Sequence, residues 1–137
     1  MHNARSLVNP ATPESDDGLA AEIAALAPWS QNLRLSDGTQ TAPDQPDAQR
    51  AASQWEQIRD FLPADLSGLT AVVINCNAGL HAIHLARRGA QVTALDTHPH
   101  FLKQASWAAA RTGLADRIEV FCGHVHDLAR WRGRAIV

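Results

Sequence analysis

From Leu69 to the end, the chain alternates short apolar, β-branched runs with segments of helical period, and this alternation limits the fold more than any other feature. Ala71–Cys76 has the continuous apolar texture of a buried strand, and Gly79–Arg88 follows with a helical pattern that Gly89 ends. Gln91–Asp96 reads as a second strand, rich in Val and Thr. His100–Thr112 is the next helix, with Phe101, Leu102, Ala105 and Ala108 or Ala109 on one stripe and Gly113 behind it. Arg117–Cys122 is a third strand, and Arg134–Val137 begins a fourth. Strands separated by whole helices run parallel, because each crossover returns the chain to the same edge of the sheet with right-handed sense. The expected class is α/β.

Residues 1–47 have a different texture, rich in Pro, Asp, Ser and Gly. They form an N-terminal extension with one short helix. Leu19, Ile23 and Leu26 stand at helical spacing after an acidic start (Glu14, Asp16, Asp17), and Pro28 closes the stretch. Ser36-Asp37-Gly38-Thr39 marks a turn between two short extended pieces. A second helix is expected from Ala48 to Leu62, capped by Asp47 and stopped by Pro63, with Trp55, Ile58 and Leu62 on one face. Residues 48–137 then make up an incomplete Rossmann-like domain, a three-layer sandwich with strand order 3-2-1-4 and the helical extension packed over it.

Composition narrows the function classes. The chain has 137 residues, 45% hydrophobic and 19% charged, enough to bury a single core. Two cysteines, Cys76 and Cys122, make no disulfide framework, and no apolar run approaches membrane length, so the expectation is a soluble, cytoplasmic protein with no membrane partner. Charge is uneven: residues 1–70 carry 4 basic and 10 acidic side chains, and residues 71–137 carry 8 basic and 4 acidic. Arg87 and Arg88 fall in the last turn of a helix, where cations suit the dipole, and the basic half lacks the interleaved aromatics of a nucleic-acid stacking surface.

In a sheet of this kind ligands bind beyond the carboxyl ends of the strands, so the first strand-to-helix turn, Val73-Ile74-Asn75-Cys76-Asn77-Ala78-Gly79, is the place to look. A dinucleotide fingerprint needs glycine at 75, 77 and 80, where the chain has Asn75, Asn77 and Leu80, which argues against NAD or FAD. The stretch "DLSGLTAVVINCNAGLHAIHLARRGAQVTALDTHP" instead resembles the first motif region of the class I S-adenosylmethionine (SAM) dependent methyltransferases. More narrowly it resembles a bacterial subgroup reading D-L-S-G-x-x-V-L-D-I-G-C-N-A-G-F-Y-S, related to the enzymes that carboxymethylate the wobble uridine of tRNA. The upstream "PWSQNLRLSDGTQTAP" and downstream "FLKQASWAAARTGLADRIEV" share the likeness, which extends over about residues 28–130.

The resemblance implies a SAM-dependent methyltransferase, present as its N-terminal, cofactor-binding part. Asn75, Asn77 and Gly79 would wrap the methionine end of SAM, with the helix N-terminus at Gly79 facing its carboxylate. Asp96 matches the acid that accepts from the two ribose hydroxyls, and His124 and Val125 fall in the adenine region. The methyl acceptor is a small molecule, a glycan or a tRNA base, and no catalytic residue is nominated. Two departures stand out: Val73 replaces the family's first-motif acid and Asn75 its first glycine. Losing a charge-assisted contact of about 2 kcal/mol lowers affinity about thirtyfold. The alternative is a non-catalytic Rossmann-like module for a nucleotide or a partner protein. The fourth strand would leave an uncovered sheet edge through which copies could pair.

A third reading concerns His81, His84, His98, His100, His124 and His126, which with Cys76 and Cys122 all follow strands and would gather on one rim, as zinc or copper ligands do. None of the usual ligand spacings is present. Partly exposed or backbone-satisfied histidines are the plainer account, and no metal ligand is assigned. Trp55 and Trp107 read as packing anchors, Trp29 as a packing residue or a cover for the cofactor, and Cys76 as a small core residue.

Overall fold

The computed structural model describes residues 14–131 and 135–136. Four parallel strands, β1 (Thr70–Ile74), β2 (Gln91–Asp96), β3 (Ile118–Cys122) and β4 (Ala135–Ile136), lie in the order β3-β2-β1-β4. Ala71 stands opposite both Val92 and Ala135, and Val92 opposite Ile118. The period of two then divides the strand residues between faces. Ala71, Val73, Val92, Ala94, Ile118 and Val120 join one core with helices α3 (Leu80–Arg87) and α4 (Pro99–Arg111), while Val72, Leu95, Ile74 and Phe121 cluster on the other face. The two crossovers therefore cover the same side of the sheet, as right-handed connections require.

Element boundaries follow local chemistry. β2 is as expected from its Val/Thr run. β1 stops at Ile74, two residues short of the expected Cys76, because Asn75 and Asn77 take positive φ (54° and 55°), which breaks extended pairing. Gly89, at φ 104°, ends α3 and lies so close to Ser67 that a Cβ would fall 2.6 Å from its Oγ and 3.1 Å from its backbone nitrogen. Leu66 N–H in turn donates to Arg88 O, which ties the entry of β1 to the exit of α3.

The N-terminal part is built into this core. Helix α1 (Glu14–Ala25) is clamped to α4 by the Glu22 carboxylate, which accepts from Trp107 Nε1 (2.7 Å) and from Arg111 Nε and Nη2 (3.0 and 2.8 Å). The Trp107 bond, against a smaller cost of burial and with help from Arg111, holds the Glu22 carboxyl below its ordinary range. Trp29 is buried against Trp107 with ring centroids 5.6 Å apart and donates to Ile23 O. Gln104, fully buried on α4, donates through Nε2 to Leu26 O and Pro28 O. The turn at 36–39 forms as expected: Arg34 bridges Gln40, and Thr39 N–H donates to Asp37.

The second helix differs from expectation at both ends. Pro46 starts a 3₁₀ turn (Pro46–Gln49) one residue before Asp47, with Gln45 at the cap position, so Asp47 lies inside the first turn and makes no cap bond. The α-helix proper, α2, is Arg50–Ile58, and Arg59–Phe61 tightens to 3₁₀. Arg88 Nη1 reaches the carbonyls of Arg59, Leu62 and Pro63 at 3.0–3.2 Å and so satisfies the orphan acceptors of that end. Its guanidinium also sits 5.1 Å over the ring of Trp55, which is buried between α2 and α3. No helix among the described residues is long and apolar enough to cross a membrane.

His84 stacks on Trp55 at 4.6 Å with the rings nearly parallel (6°). Burial first, then the charges of Arg87, His81, Arg88 and Arg59, push this imidazole down from 6.5 to about 4. The unfolded chain binds the proton below pH 6.5 while the folded chain resists it until about pH 4. Stability should therefore fall as pH drops through that window, by about 1–2 kcal/mol once the half-exposure of the ring is discounted. Urea titrations at several pH values would check this, and His84→Phe, which keeps the stack, should flatten that part of the profile.

Candidate functional site

The site lies at the carboxyl edge of the sheet, where β1 meets its neighbours on either side and the strand order reverses. The turn after β1 takes left-handed φ at three alternate residues, Asn75, Asn77 and Gly79 (99°). A Cβ on Gly79 would meet Ala105 Cβ at 3.5 Å, an ordinary contact, so conformation rather than room calls for glycine. Asparagine is among the few other residues that take this region at low cost, which is how the turn takes this shape without a glycine at 75 or 77. The loop satisfies itself as well: Cys76 N–H donates to Leu95 O, Gly79 N–H to Cys76 O, and Ala78 N–H to Asn77 Oδ1 at 2.7 Å.

Asp96 is the centre of this arrangement. Its side chain is 5% exposed. Oδ2 accepts from Asn77 N–H at 3.0 Å, which joins the loop after β1 to the end of β2. Oδ1 takes Thr97 N–H, His98 N–H and His98 Nδ1 at 2.8, 3.0 and 3.1 Å. Burial pushes the carboxyl up, and the hydrogen bonds from Asn77, His98 and Thr97 together outweigh it, so the group is held below its ordinary range and stays ionised at neutral pH. With one donor on Oδ2, an acceptor position there remains for a ligand hydroxyl.

The other expected residues are placed nearby but more openly. Gly123 N–H donates to Asp96 O, so the segment after β3 begins beside the same acid. His124 and Val125, which follow it, are both exposed; His124 N–H is held by Asp127 Oδ2 at 2.8 Å, and its ring lies 4.4 Å from that of His126. Cys76 is buried, and burial first, then the charge of Asp96, pushes its thiol up to about 12, so it is an inert core residue.

The histidines have separate partners. His81 and His84 turn toward Trp55, His98 pairs with Asp96, His100 bonds Pro28 O, and His124 lies tilted against His126. Among the described residues no three His, Cys, Asp or Glu side chains converge as metal ligands do.

Two cavities border the loop. One, of about 510 Å³, is lined by Trp29, Gln31, Arg50, Gln54 and Asn77 among others. The second, of about 410 Å³, brings Gln31, Gln54 and Gln57 up to Val73 and Asn75. Gln31 borders both and donates nothing to the protein core; its Oε1 accepts from Leu80 N–H, the first residue of α3, at 3.1 Å. Residues 29–31 thus form a wall of the larger of these two cavities. No sequence pattern marks that contact, because Gln31 and Leu80 are 49 residues apart.

Residues 72–133 match the family model of a methyltransferase domain. Among solved structures, the N-terminal domain of EvdMO1 with SAH bound is 18% identical, with 82% of this chain and 48% of that one covered at a TM-score of 0.65. Whole EvdMO1 is 20% identical, with coverage of 99% and 29% and a TM-score of 0.60. A SAM-dependent methyltransferase from Agrobacterium tumefaciens is 18% identical, with coverage of 58% and 26% and a TM-score of 0.48. The chain spans less than half the length of each of these proteins. No curated protein matches it. Residues 72–133 are thus similar to a methyltransferase domain, and the chain shares the Rossmann-like fold of these solved structures.

Proposed function

We propose that the chain is the cofactor-binding part of a SAM-dependent methyltransferase. The observation that carries this reading is the bond from Asn77 N–H to Asp96 Oδ2, which sets a left-handed loop and a buried, ionised carboxylate side by side at the switch point of the sheet. The donor set fits the cofactor at its ribose end: Asp96 would accept from the ribose hydroxyls. Asn75, Asn77 and Gly79 would line the methionine end, and His124 and Val125 would flank the adenine. SAM supplies an activated methyl group on a sulfonium; what this chain's residues do is hold and orient it. The finer kinship with the wobble-uridine enzymes, and a tRNA base as acceptor, belong to the same proposal beside a small molecule or a glycan.

The weak point of the fit is Val73, 3% exposed and uncharged where the resemblance places an acid near the SAM ammonium. Its side chain borders the glutamine-lined cavity, so an aspartate there would find polar company. Calorimetric titration of SAM and its demethylated product should show weak binding to the native chain. The Val73→Asp/Asn75→Gly variant should bind about thirtyfold more tightly. If neither protein binds either compound, the cofactor reading fails. A native chain that instead binds other nucleotides would turn the reading toward a non-catalytic module.

A further inference from the structure

Gln31 has a second end. The residue is 8% exposed, and the Leu80 N–H decides which way its amide faces, because only the carbonyl oxygen can accept there. Nε2 is left pointing away from α3, and among the described residues it makes no hydrogen bond, although the residue lines both cavities beside the loop. An amide nitrogen with two N–H bonds and no protein acceptor, open to a cavity, needs water or a ligand to accept from it. It also stands next to the start of α3, where the free N–H groups and the dipole favour negative charge.

We propose that Gln31 determines specificity at the amino-acid end of the cofactor: anchored through Oε1 on Leu80, it presents Nε2 as a hydrogen-bond donor to the ligand's carboxylate. This rests on the cofactor reading above and adds to it a residue from the N-terminal segment, outside the loop and strands. The anchoring gives the donor a fixed direction, so the carboxylate meets a pre-oriented partner rather than a flexible one. It also explains why a glutamine, and not an acid, suits the position: an acid could still accept from Leu80, but would set a second anionic oxygen against the ligand.

That asymmetry provides the test. Gln31→Glu keeps the size and the bond from Leu80, and a carboxylate at a helix start is at least as good a cap, so the thermal midpoint should hold or rise. S-adenosylhomocysteine, which carries the amino-acid end, should bind the variant about tenfold or more weakly than the native chain, whereas 5′-methylthioadenosine, which lacks that end, should bind both within about twofold. On the native chain, the side-chain amide resonances of Gln31 should shift with S-adenosylhomocysteine and stay in place with 5′-methylthioadenosine. Equal loss or no loss for both ligands, or an unmoved Gln31 resonance, overturns the role of Gln31 and leaves the cofactor reading standing. Failure of both the native chain and the Val73→Asp/Asn75→Gly variant to bind either nucleoside overturns the cofactor reading, and this role with it.

Discussion

Replacing Asp96 with alanine is expected to cost about 3–4 kcal/mol of stability and to abolish cofactor binding. The carboxylate holds three backbone N–H groups, of Asn77, Thr97 and His98, and the His98 ring, in a site whose side chain is 5% exposed. Hydrogen bonds to a charged acceptor contribute about 1.5–3 kcal/mol each, and partial entry of water after truncation returns some of that. Asp96→Asn should lose less, about 1–2 kcal/mol, since one oxygen can still serve Thr97 and His98 while the amide nitrogen faces the Asn77 N–H. Urea unfolding of the two variants checks the order; an Asp96→Ala chain as stable as the native one would show that the loop does not depend on this acid. The folded carboxyl lies below its ordinary 3.8. Its contribution is therefore complete above that value and is lost as pH falls through the lower folded one.

Trp55→Ala should be about as damaging, at about 3–5 kcal/mol. The indole is 4% exposed and joins α2 to α3 by contacts of several kinds. It stacks on His84, meets His81 edge-on with centroids 6.2 Å apart, and lies under the Arg88 guanidinium. Truncation leaves a cavity, removes the aromatic and cation–π contacts, and lets water reach His84. The last effect gives a second readout. Because burial is the main reason the His84 imidazole resists protonation, the decline in stability between pH 6.5 and about 4 should shrink in the variant. Trp55→Phe should keep much of the packing and cost about 1–2 kcal/mol. A Trp55→Ala chain with native stability and an unchanged pH slope would remove this residue from the list of core anchors.

What was legible in the sequence was the part governed by local pattern. The Gln91–Asp96 run, set between Gly89 and Pro99, has one reading, and with it come the parallel order and the placing of Asp96 at a strand end. The loop after β1 stood out by its place at the end of the first strand, and the left-handed turn there is built by Asn75, Asn77 and Gly79. What escaped depended on side chains from distant segments. The tightening after Ile58 goes with Arg88, 25–29 residues on, reaching back to those carbonyls. Spacing put His81 and His84 on one helical face but could not say that the face turns toward Trp55. Asp47 had the right chemistry for a cap and lost the position to a proline that starts the turn earlier.

The clamp between Glu22 and the Trp107–Arg111 pair bears on how the molecule can be cut. A fragment starting at residue 48 would keep every strand, yet it would strip the acceptors from the indole N–H of Trp107 and from the amide of Gln104, and the cap from Leu80. Those groups are buried or half-buried because the first part of the chain covers them. Such a fragment would trade a covered flank of α4 for an adhesive one, which makes the leading segment a lining of the fold and not a detachable sleeve.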